Sequence, residues 1–121
     1  LAEINCLGYH SAEAAYRHGE PWRLELISYL RSNRDLITRF CRDEMTSIKI
    51  PNIEATYLAW MNFHQTGIAN PALFLEKEAR IFLSDGRYFG EQGHARLNFG
   101  CSRSHLEEAL SDIRKAMENR P

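Results

Sequence analysis

The sequence predicts an α+β fold in which helices cover a small, mostly antiparallel sheet. Three observations lead there. Across His94 to Phe99 the residues alternate, with Ala95, Leu97 and Phe99 on one face and His94, Arg96 and Asn98 on the other, as in a half-buried strand. Elsewhere apolar residues recur at three- and four-residue steps, the spacing of helices buried along one side. The segments follow one another as helix, long helix, two strands, helix, two strands, helix, an order that suits helices laid on an antiparallel sheet.

Residues 11 to 18, "SAEAAYRH", are helix-prone, with Ser11 as the expected N-cap and Gly19 placed to end the helix in a left-handed conformation. A long amphipathic helix follows at once. Pro21 suits its first turn, and Trp22, Leu26, Tyr29, Leu30, Asn33, Ile37 and Phe40 trace its apolar stripe to about Arg42. Arginines 23, 31, 34, 39 and 42, interspersed with Glu25, Asp35, Asp43 and Glu44, make its solvated side. "TSIKI" reads as a short strand ended by Pro51, and "ATYLAWMNF" from 55 to 63 as a strand apolar on both faces, expected in the middle of the sheet. Asn70 and Pro71 open a short helix to about Ala79. "RIFLSDG" gives a strand and a turn at Asp85-Gly86, and "YFGEQG" a loop whose glycines are turn residues. Ser104 and Glu107 form an S-x-x-E capping box for the last helix, whose apolar positions are Leu106, Ala109, Leu110, Ile113 and Met117.

A chain of 121 residues, 44% hydrophobic and 26% charged, is long enough for one domain with a core and too short for two, so residues 1–121 are read as a single domain. Fifteen Lys and Arg against sixteen Asp and Glu leave a net charge of −1, which argues against nucleic acid or an anionic membrane as partner. Cys6, Cys41 and Cys101 are odd in number and never closely paired, so neither a disulfide framework nor a zinc knuckle is expected, and a reducing, cytoplasmic setting fits. No apolar run approaches the roughly 20 residues of a membrane span. The chain begins at Leu1 and not at methionine, and is expected to be a piece of something longer.

Little else in the sequence points to chemistry. The histidines at 10, 18, 64, 94 and 105 show no metal-binding spacing, and no metal site is expected. His94 shares a face with Arg96 but is expected to be solvated and receives no catalytic role. No P-loop, dinucleotide fingerprint or G-x-S-x-G elbow occurs. Glu107 and Glu108 stand in a helix's first turn, where the macrodipole favours them. Arg96 is the oddity: it either points into water or grips an anion.

In "TYLAWMNF", "LSDGRYFG" and "GHARLNFGCSRSHLEEALSDI", taken in that order, the chain resembles the C-terminal small domain of fold-type-I pyridoxal-phosphate enzymes. More narrowly it is similar to the carbon–sulfur lyase branch of the class I/II aminotransferases, the cystathionine β-lyase type. Those enzymes have a T-Y-L-x-W strand and an R-L-N-F segment followed by a capped helix. The opening "GYHSAEAAYRHGEPWRLELISYLRSN" is similar too, so the resemblance covers nearly the whole chain. Ser102 and Ile53 depart from it, standing where these enzymes often have proline.

The resemblance implies that Arg96 binds the α-carboxylate of an amino-acid substrate, and that the fold is the C-terminal small domain of the aminotransferase fold. It implies pyridoxal 5'-phosphate in the full-length enzyme, held as a Schiff base to a lysine of a large domain absent here. Lys49, Lys77 and Lys115 match no cofactor-lysine motif and are expected to be surface charges. No catalytic, cofactor-binding or metal-binding residue is therefore expected in this piece, which should be inactive alone and bind no cofactor. The implied parent is a homodimeric lyase performing β-elimination on cystathionine or a cysteine-like amino acid. The alternatives are an aminotransferase or a non-catalytic, aminotransferase-like regulator.

Overall fold

A computed structural model describes residues 5–120. Its first helix, α1 (Cys6–His18), begins earlier than expected: the Asn5 side chain accepts the Gly8 N–H at 2.9 Å, so Asn5 is the cap and Ser11 lies inside the helix. Gly19 is not left-handed. It sits at φ −83°, ψ −5°, ending α1 and opening α2 (Glu20–Arg39). Glycine is required by close approach, because a Cβ there would lie 2.5 Å from the Ala15 carbonyl oxygen.

No residue of α1 is buried, and the stripe on α2 is covered only toward its C-terminal end: Trp22 is 67% exposed, whereas Asn33 and Ile37 are fully buried. The helix then widens into a π-turn at Phe40–Glu44, closed by the Met45 N–H on the Phe40 carbonyl and burying Phe40 and Cys41. The arginines along the outer side do pair with neighbouring acids, as Arg23 with Glu20 and Arg42 with Asp43, in exposed positions where such pairs are weak.

The sheet has three strands, β1 (Leu58–Asn62), β2 (Ser84–Asp85) and β3 (His94–Asn98), ordered β1-β3-β2 and antiparallel throughout. Four strands were expected. "TSIKI" supplies only an isolated bridge, in which Lys49 and Asn62 exchange both backbone bonds. The next hydrogen-bonded pair in that ladder would need a donor from Pro51, which has none. The expected strand at 55–63 starts late because Thr56 adopts φ 68°, and it is not central: β3 is the middle strand. β1 is apolar on both faces for another reason. Ala59, Met61 and Phe63 enter the core, while Trp60 on the opposite face joins an aromatic cluster. The "RIFLSDG" strand shrinks to two residues, since after α3 (Pro71–Ala79) the chain leaves through a left-handed Arg80 and meets β3 only at Ser84.

α3 is as expected, with Asn70 accepting the Leu73 N–H and Pro71 in the first turn. The last helix, α4 (Arg103–Glu118), is capped by Ser102, on the His105 N–H, and not by Ser104. Its Leu106, Leu110, Ile113 and Ala116 pack against the inner face of the sheet together with Ile37, Phe40, Leu75 and Phe99. Burying each such large side chain fully stabilises by about 1.5–3 kcal/mol, which makes this layer the main source of stability. Those helices cover the inner face, and Trp60, His94 and Arg96 lie on the outer one.

Candidate functional site

Alternation along the middle strand places Arg96 on the outer face, between Ala95 and Leu97, which are buried. Directly across the ladder stand Trp60 on β1 and Ser84 on β2. The guanidinium Nη2 donates to Ser84 Oγ at 3.2 Å, and Cζ lies over the Phe89 ring, 4.5 Å from its centroid. Trp60 in turn meets Phe89 edge-on at 5.6 Å and stacks on His94 at 5.5 Å, and His94 meets His64 edge-on at 5.1 Å. Arg96 is thus half-buried in an aromatic wall.

The carboxylates nearby are engaged elsewhere. Asp85 follows Ser84 in β2, so its side chain takes the other face; it caps a 3₁₀ turn, Gly86–Phe89, by accepting the Arg87 N–H at 2.9 Å. Its second oxygen accepts Arg87 Nε and Nη2 at 2.9 and 2.6 Å. Those side-chain bonds, and then the backbone one, hold the Asp85 carboxyl below its ordinary range. Glu91 lies 3.7 Å from His94 Nδ1, which also lies 3.1 Å from the Gln92 carbonyl. Among the described residues no carboxylate pairs with Arg96, and its Nε and Nη1 donate to none of them. A half-buried guanidinium with one neutral hydroxyl and one ring face for company keeps a planar donor edge free for an anion.

Because its carboxyl is depressed in the folded state, Asp85 contributes stability that is present above the ordinary carboxylate pKa and lost as pH falls through the folded value. Asp85→Asn should therefore lower the melting temperature at neutral pH, with the difference from wild type shrinking steadily on acidification. A pH-independent difference would mean that the Arg87 contacts contribute nothing electrostatic.

No family model matches the chain. It is 32% identical to cystathionine β-lyase PatB of Bacillus subtilis over 97% of its own length and 31% of that protein's. With the cystathionine β-lyase of Corynebacterium glutamicum it shares 38% identity, covering 91% of this chain and 30% of the relative. The chain is homologous to cystathionine β-lyases. Its fold matches the crystal structure of cystalysin from Treponema denticola, which contains a pyridoxal 5'-phosphate cofactor, with a TM-score of 0.89 and 29% identity over 97% of this chain and 31% of that one. This cystathionine β-lyase homologue spans about a third of the length of the proteins it matches.

A Schiff-base lysine has to stand beside the substrate site, and all three lysines are exposed. Lys77 is on α3, Lys115 on α4 donates to Asp112 at 2.8 Å, and Lys49 stands opposite Asn62 in an isolated bridge. Among the described residues no group of three His, Cys, Asp or Glu could hold a metal ion.

Alternation puts Arg96 on the face of the strand where the structure has it, but does not reveal what surrounds it. His94 is not solvated: its side chain is 11% exposed, covered by Trp60 and His64. The sequence pattern singles out neither Phe89 nor Ser84. Ser84 could have been found from the short "LSDG" strand once paired with β3, whereas nothing local to Phe89 signals its stack.

Proposed function

We propose that these residues form the C-terminal small domain of a pyridoxal-phosphate-dependent carbon–sulfur lyase, in which Arg96 receives the α-carboxylate of a cystathionine- or cysteine-like amino acid. The observation that supports this most is the unpaired, half-buried guanidinium of Arg96 on the middle strand, with a free donor edge beside an aromatic wall. Two parallel charge-assisted bonds fix a carboxylate in position and in plane, and so fix the rotation of the Cα bonds relative to whatever faces them. Pyridoxal phosphate supplies the electron sink for bond breaking at Cα. It would be held, with its lysine, by the remaining two-thirds of the polypeptide, and the homodimer expected of the parent belongs to that whole protein too. The names of the relatives favour β-elimination over transamination, which would use the same arginine.

The test is to supply the full-length protein with L-cystathionine and measure pyruvate. Stoichiometric pyruvate and thiol are expected. Amino transfer to a 2-oxo acid without pyruvate would replace the lyase reading with transamination, and neither product would favour a binding protein.

A further inference from the structure

We infer that Phe89 is a positioning residue for Arg96, holding the guanidinium in the plane in which it meets a substrate carboxylate; this rests on the carboxylate-binding reading of Arg96. The Phe89 ring lies under Cζ at 4.5 Å, and the only side-chain hydrogen bond made by Arg96 among the described residues is the one to Ser84 at 3.2 Å. One neutral hydroxyl fixes one nitrogen and leaves the plane of the group free to turn. A ring face beneath it removes that freedom, because the cation is drawn to the face of the ring. The two contacts are compatible with substrate: the Ser84 bond uses only Nη2, and the remaining N–H donors are open to a carboxylate.

Phe89 is itself held. It ends the 3₁₀ turn whose start is fixed by Asp85 and whose close is tied by the Gly90 N–H on the Arg87 carbonyl and the Glu91 N–H on the Gly86 carbonyl. Trp60 packs against it in a T-shaped pair, at an interplanar angle of 87°. Within this domain the ring is 49% exposed, so the domain's own core does not account for its position. A large apolar side chain held by a capped turn, with a cation on its face, is placed for that cation.

The test compares binding of L-alanine, which has the carboxylate but no leaving group, with L-alaninamide, which lacks the charge, in the full-length holoenzyme. Phe89→Leu should weaken L-alanine about three- to tenfold and leave L-alaninamide nearly unchanged, and Phe89→Tyr, which keeps the ring face, should restore L-alanine binding. Equal weakening of both ligands, or no rescue by Phe89→Tyr, overturns the positioning role. Arg96→Ala is the control that separates the two ideas. If it weakens L-alanine while Phe89→Leu does not, only the role of Phe89 fails; if Arg96→Ala also leaves L-alanine unaffected, the carboxylate reading fails and takes Phe89 with it.

Discussion

Replacing Arg96 with lysine in the full-length protein is expected to raise KM for an amino-acid substrate and lower kcat, with kcat/KM falling roughly ten- to a hundredfold. Lysine keeps the charge and loses the fork. One charge-assisted bond of about 1.5–3 kcal/mol is then missing, and every 1.4 kcal/mol is about a factor of ten. Arg96→Ala should cost more, roughly a thousandfold, since both bonds and the charge go. The split between KM and kcat is informative. A carboxylate held only for affinity would move KM alone, whereas one that also sets the orientation of Cα moves kcat. The melting temperature should change little in either variant, because among the described residues the side chain's partners are a serine hydroxyl and a half-exposed ring. Unchanged kinetics in Arg96→Lys would remove Arg96 from the site.

Which parts of this picture were legible in the sequence depends on whether their causes are local. The helix at Pro71–Ala79 was bounded correctly because Asn70 and Pro71 are adjacent and both act on the same first turn. The first and last helices have several residues able to cap within reach, and the chain uses the earlier ones, Asn5 and Ser102, in place of Ser11 and Ser104. Strand lengths failed for the opposite reason. Whether residues 46–50 and 80–86 form strands depends on partners distant in sequence, and Pro51 and the left-handed Arg80 limit that pairing. The parity of Arg96 was readable from alternation alone. Its environment was not, because Phe89 arrives from a turn aimed by Asp85, and Trp60 faces Arg96 only through the register of β1 on β3.

Asn33 is expected to give the largest loss of stability. It is fully buried in α2, and its Nδ2 donates to the Phe99 carbonyl at 3.0 Å and the Cys101 carbonyl at 3.1 Å. Those carbonyls belong to the stretch between the end of β3 and the cap of α4, so one amide anchors the strand bearing Arg96 and the helix that covers its inner face. The orientation is forced, since turning the amide over would set Oδ1 against two carbonyl oxygens. Oδ1 itself is buried without a partner among the described residues, a cost that the two bonds must exceed. Asn33→Ala removes both donors and leaves a cavity, and should destabilise by roughly 2–5 kcal/mol. Asn33→Asp should be worse at neutral pH, because it presents a buried carboxylate to the same two carbonyls with no cation to meet it. The introduced carboxyl would have a folded-state pKa above its unfolded value of about 3.9. Between those two values the folded state binds the extra proton, so this variant should gain stability as pH falls, approaching or passing the alanine variant once the acid can donate to one carbonyl. Urea midpoints of the full-length protein across that pH range would show it. An Asn33→Asp protein as stable as wild type at neutral pH would mean that this amide does not hold the two carbonyls, and that the end of β3 is fixed by other contacts.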